Sequence, residues 1–166
     1  MNRRIILAIV AVLLLGAGVY FMGNVGSSLA QTSDYSPPKT EEGEDGWLTY
    51  VDAPETGPDN VGKLNPAPSS PEAAVVKFLA SRMRGDNAWE EALVADRSAR
   101  LERQIAEWEE WTIDGFQLRG RKPTGGDGVY LRVFFRITVN DDSDSGTDEF
   151  ELVPDGNEWR IAGIPT

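Results

Sequence analysis

Val129-Tyr130-Leu131-Arg132-Val133-Phe134-Phe135-Arg136-Ile137-Thr138-Val139 reads as one long β-strand. Its odd positions are all aliphatic or aromatic, and its even positions carry Tyr130, Arg132, Phe134, Arg136 and Thr138. Side chains alternate across a strand, so this period turns one face to a core and leaves one amphipathic face over. Such a strand is a spine on which helices and other strands can pack.

Working outward, residues 140–146 are an acidic loop and 147–153 a second strand with Phe150 and Leu152 inward. Pro154-Asp155-Gly156-Asn157 is a strong turn signal, and 159–164 form a last strand. On the other side, 122–128 form a loop holding Pro123 and three glycines. Residues 111–120 read as a strand whose parity breaks near Asp114-Gly115, the mark of a bulge. Before residue 111 the period is helical. Ser70-Pro71-Glu72 opens one helix, with Ser70 as cap, carrying Ala74, Val75, Phe78, Leu79 and Met83 on a stripe and stopping at Gly85. A shorter helix opens at Asp86 or Asn87, and a third is capped by Asp96 with Leu101, Ile105 and Trp108 inward. The expected class is α+β: three amino-terminal helices packed on a curved four-stranded antiparallel sheet, preceded by a single transmembrane or signal helix.

That preceding helix is the uncharged run 5–22, introduced by Arg3 and Arg4. As a helix it would be roughly 27 Å long, enough for a bilayer core. Positive charge before it and acidic sequence after it place the bulk of the chain outside the cytoplasm. Residues 1–30 are thus a signal anchor, giving a single-pass cell-membrane protein, or a signal peptide cleaved near Ala30, giving a secreted one. Residues 31–69 hold six of the ten prolines and eight acidic residues. They read as a mostly disordered acidic linker, in which the β-prone island Trp47-Leu48-Thr49-Tyr50-Val51 docks on its own domain or touches a partner. Residues 70–166 are the domain.

Composition removes whole classes of function. The net charge of −11 repels phosphate backbones, so no nucleic-acid partner is expected. With no His and no Cys, triads that need either residue, disulfides and the usual zinc sites are excluded. No cofactor is implied.

The capped helix, the short helix after Gly85-Asp86, the third helix and a meander closing on Asp155-Gly156-Asn157-Glu158-Trp159-Arg160-Ile161 resemble the nuclear transport factor two-like superfamily over residues 70–164. The resemblance implies a sheet wrapped on helices into a cone with a pocket. Its members include isomerases, dehydratases and many non-catalytic binding modules, and they often dimerise through the outer face of the sheet.

Three sites can be weighed. An enzyme of the isomerase type needs a Tyr or carboxylate aimed into the cone, but the inward positions of 129–139 are apolar, leaving Asp114 near the bulge or a helix residue. Asn140, Asp142, Asp144, Asp148 and Glu151 fall at calcium-loop spacing, yet Ser145 stands where that loop needs Gly. An Arg136, Glu151 and Arg160 cross-strand ladder explains Glu151 without a metal. The outer face, Tyr130, Arg132, Phe134 and Arg136, has the composition of a contact surface, or is simple solvent-facing decoration. The expectation is therefore a non-catalytic extracytoplasmic binding or accessory domain, tethered to the membrane and acting through a protein partner or as a homodimer. A small apolar ligand carrier and a carboxylate-based isomerase or dehydratase are the alternatives.

Overall fold

Residues 129–139 form the strand their alternation calls for, with Leu131, Val133, Phe135 and Ile137 buried. In the computed structural model, which describes residues 38–166, this strand is the fourth of six in one antiparallel sheet. The strands run in chain order: β1 Thr40–Glu42, β2 Leu48–Tyr50, β3 Thr112–Pro123, β4 Val129–Val139, β5 Asp142–Asp155 and β6 Glu158–Gly163.

The expected four strands are therefore six. Both additions come from the proline-rich acidic segment, where the β-prone run Trp47–Val51 is enough to pair with a waiting edge. Leu48 and Thr49 pair with Arg121 and Gly120 of β3, and β1 pairs back on β2. A two-stranded hairpin has little stability alone, so it is the β3 edge that makes this segment fold.

The expected three helices are two among the described residues: α1, Pro71–Arg84, and α2, Ala99–Trp108. The one expected between them is a five-residue 3-10 turn, Ala88–Ala92. Asp86 accepts from the Ala88 N–H and the Ser81 hydroxyl accepts from the Trp89 N–H, which tightens the turn. The chain then straightens so that Leu93 bridges Ile161 and the Val94 N–H donates to the Ile161 carbonyl. Caps differ too. Ser98, not Asp96, caps α2 by accepting from the Leu101 N–H at 3.1 Å. Ser70 stands at the start of α1, but its hydroxyl caps nothing and lies buried with no hydrogen-bond partner among the described residues. Gly85 ends α1 in the left-handed region, φ 67°.

No helix among the described residues is long and apolar enough to cross a membrane, so the transmembrane element and the membrane assignment resting on it have no counterpart in this fold. The run 5–22 lies outside the described residues.

Between sheet and helices the space is filled. Trp108 packs against Phe78, Phe135 and Phe150 with ring centroids 5.4, 5.7 and 5.8 Å apart, and its indole N–H donates to the Pro165 carbonyl at 2.7 Å. Arg82 of α1 donates to the carbonyls of Trp108 and Trp111, pinning the two helices together.

Candidate functional site

Cross-strand neighbours point to the same side of a sheet, so register fixes what surrounds the outward residues of β4. Tyr130 lies between Lys122 and Glu151, Arg132 between Gly120 and Glu149, Phe134 between Gln117 and Thr147, and Arg136 between Gly115 and Ser145. The four candidates are thus brought onto one face, as the alternation predicts. Two bulges in β3 add to it. The expected one isolates Asp114, and a second, at Arg119, swings that guanidinium over the Phe134 ring, 5.3 Å from its centroid.

Half of this face carries the chain's own amino-terminal segment. Trp47 is 6% exposed because it lies over two outer-face cations, the Arg132 guanidinium at 3.8 Å and the Lys122 ammonium at 4.9 Å from the ring centroid. Arg132 also pairs with Glu149 at 2.8 Å, and Arg136 pairs with Glu55 at 2.8 Å. The Gln117 amide donates to the Ala53 carbonyl, and Thr56 and Phe116 exchange backbone bonds of 2.7 and 2.8 Å. Residues 40–57 therefore form a strap along the β3 edge. Two glycines carve its seat. A Cβ at Gly120 would sit 2.6 Å from the Leu48 carbonyl oxygen, and one at Gly115 would sit 2.8 Å from Arg136 and 3.1 Å from the Thr56 carbonyl oxygen.

On the inner side the strap is fastened by Tyr50, whose hydroxyl donates to Glu72 of α1, with the Arg121 guanidinium 3.4 Å from the same carboxylate oxygen. Sequence reading missed both contacts of the strap. The Trp47 and Tyr50 spacing shows that they lie on opposite faces, but nothing local says which edge receives them.

Tyr130 and Phe134 stay half-buried and unclaimed by the strap's polar and ring contacts. Arg119 and Lys122, which lie over aromatic rings, form no ion pair among the described residues. Open aromatics beside cations that are not neutralised characterise this face.

The other sequence candidates disperse. Asn140 and Asp141 make a two-residue turn, both at positive φ, and β5 begins at once with Asp142. The expected acidic loop is largely strand. Asp142, Asp144 and Asp148 are strung along it at about 3.3 Å per residue, and Glu151 points to the opposite side from them by parity, so the five cannot close around one ion. The ladder fails as well, because β5 and β6 pair two residues further on than it requires. Glu151 faces Tyr130 and Gly163, while Arg160 is held by Asp155, Glu158 and the Glu91 carbonyl. Asp114 accepts from the Thr138 hydroxyl at 2.8 Å in a shallow depression of the outer surface, away from the filled interior.

One cleft of about 430 Å³ lies elsewhere, between α1, residues 61–68 and Trp159. Its floor is Ala73, Ala74, Ala80 and Ala92, and the Lys77 and Arg160 side chains at its rim are each already paired with a carboxylate. Across known proteins, no family model, curated protein or solved structure matches this chain.

Proposed function

We propose that this domain acts by protein–protein contact through the outer face of its sheet, as an extracytoplasmic accessory module without catalysis. The observation that carries the reading is the juxtaposition of half-buried Tyr130 and Phe134 with Arg119 and Lys122, cations held over rings and free of ion pairs, on a chain of net charge −11. Aromatics and Arg anchor contacts because they bury much area at little cost in side-chain freedom, while the surrounding charges select the partner. The opposite face supports the reading: Trp108, Phe78 and Phe150 occupy the space an enzyme or carrier of the cone type would keep open. Kinship with the nuclear transport factor two-like superfamily is retained as part of the proposal, on the helices followed by a meander that closes at residues 155–161. Placement outside the cytoplasm rests on Arg3, Arg4 and the apolar run after them, and a mature chain whose mass includes Met1 would exclude the cleaved form.

The test is Tyr130→Ala/Phe134→Ala, which should abolish association while leaving the cooperative unfolding transition in place. Association that survives the double substitution would overturn the proposal.

A second reading is favoured by the cleft at Trp159: a small apolar ligand carrier. A 430 Å³ space floored by alanines suits a compact apolar molecule. Saturable quenching of Trp159 fluorescence by a panel of such molecules, lost in Ala80→Phe, would support it. A flat titration across the panel would remove it.

A further inference from the structure

The seat of the strap is shaped for one kind of occupant: an extended acidic strand with an aromatic residue facing the Arg132 and Lys122 cations and a carboxylate facing Arg136. We infer that this seat is exchangeable, so that residues 40–57 of a second copy can take it. In either arrangement the strap lies on Arg132 and Arg136 and makes no polar or ring contact with Tyr130 or Phe134. The inference goes beyond the contact-face reading above and names the occupant of the neighbouring seat.

Three observations carry it. The seat is encoded in the body of the domain, since Gly115 and Gly120 leave the space and Arg132 and Arg136 supply the charge. The strap is held at discrete points. Trp47, Tyr50, Ala53 and Thr56 are buried, but residues 40–46 are exposed, and only Leu48 and Thr49 form a ladder with β3 before the isolated Thr56 bridge. A segment held at a few points, with exposed stretches between them, opens as one unit. The joint is also visible. Gly57-Pro58-Asp59-Asn60 form a turn closed by the Gly57 N–H on the Asn60 side chain at 2.7 Å, and Val61 beyond it is buried. The strap can pivot at 57–60 while the buried Val61 stays in place.

A second copy's strap would restore every bond that the first gives up, which is why exchange between identical chains is a low-cost route to association. The cis strap is favoured by its tether, which on a short linker acts as a concentration in the millimolar range. An incoming strand therefore meets only the open fraction of molecules, and its apparent affinity falls in proportion. Loosening the cis strap must raise the trans affinity.

The probe is a fluorescein-labelled peptide of residues 38–57, titrated by anisotropy into full-length protein. We expect Trp47→Ala/Glu55→Ala protein to bind it at least tenfold more tightly than wild type. A peptide carrying Trp47→Ala should lose at least tenfold on that variant, and full-length Gly120→Ala, which blocks the seat itself, should bind neither peptide. Near-ultraviolet circular dichroism checks the fold of each chain. If the double variant is unfolded, Glu55→Ala alone provides the same comparison with a smaller gain, about threefold. Absence of peptide binding from every folded chain, or binding indifferent to Trp47 of the peptide, would overturn the inference. The two proposals separate through Tyr130→Ala/Phe134→Ala. Those residues hold none of the strap's hydrogen bonds, ion pairs or ring contacts, so peptide binding should survive even where partner association is lost.

Discussion

Trp47 sits over two cations and under none of the core, so its burial measures how firmly the strap is seated. Trp47→Ala should lower stability by about 3 kcal/mol, the low end for a buried Trp, and should do so through the strap. Hydrogen exchange at the Phe116 and Thr56 amides ought to quicken at least tenfold while amides of α1 stay protected; uniform quickening would mean that strap and core are one unit. Asp86 offers a sharper residue test. The Ser81 hydroxyl, then the Arg84 guanidinium, then the Ala88 N–H hold its carboxyl down to about 2 from an ordinary 3.8. The unfolded chain binds that proton more tightly than the folded one. The stabilisation is therefore complete above the ordinary value and is lost as pH falls through about 2. Asp86→Asn should flatten the stability profile below pH 4, as followed by thermal unfolding; an unchanged slope would refute the assignment.

At the scale of elements, some were written plainly in the sequence. The spine strand was legible because both faces obey one period without interruption, and so was the bulge at Asp114, where parity fails. The short second helix was misread because Trp89, Ala92 and Leu93 have helical spacing, yet Asp86 and Ser81 capture its amides and Leu93 is drawn to β6. The acidic run 140–146 was read as a loop on charge alone. Only Asn140 and Asp141 turn, because Asn and Asp tolerate the left-handed region better than other side chains and the rest can pair with β4. Asp141 at φ 69° still carries part of the strain that glycine would avoid. Asp141→Gly is expected to raise stability by about 0.5–1 kcal/mol in urea unfolding, against the usual cost of glycine. A loss would mean that the Asp141 side chain stabilises the turn.

For the whole molecule, the sequence shows which residues face outward but not what covers them. Tyr130, Arg132, Phe134 and Arg136 share a face by period alone. That Trp47 and Glu55 claim Arg132 and Arg136, from about 80 residues away, depends on long-range register that no local pattern carries. The same holds for Glu72, which reads as a helix-start acid and proves to be the inner fastening of the strap through Tyr50 and Arg121. The charge of the chain sets a further expectation. Selection by Arg119 and Lys122 is screened by salt over roughly 8–10 Å near physiological strength, so association should weaken several-fold between 0.05 and about 0.5 M salt, as read by sedimentation. Salt-independent association would assign it to aromatic burial alone.

The most direct test of contact through the outer sheet face is one co-purification. Tagged and untagged copies are expressed together in the source cells, the tagged copy is captured, and both the untagged copy and every other captured chain are quantified by mass spectrometry. Between wild type and folded Tyr130→Ala/Phe134→Ala, at least a tenfold loss of a specific captured chain is expected. Recovery of the same chains in the same amounts from both would contradict it.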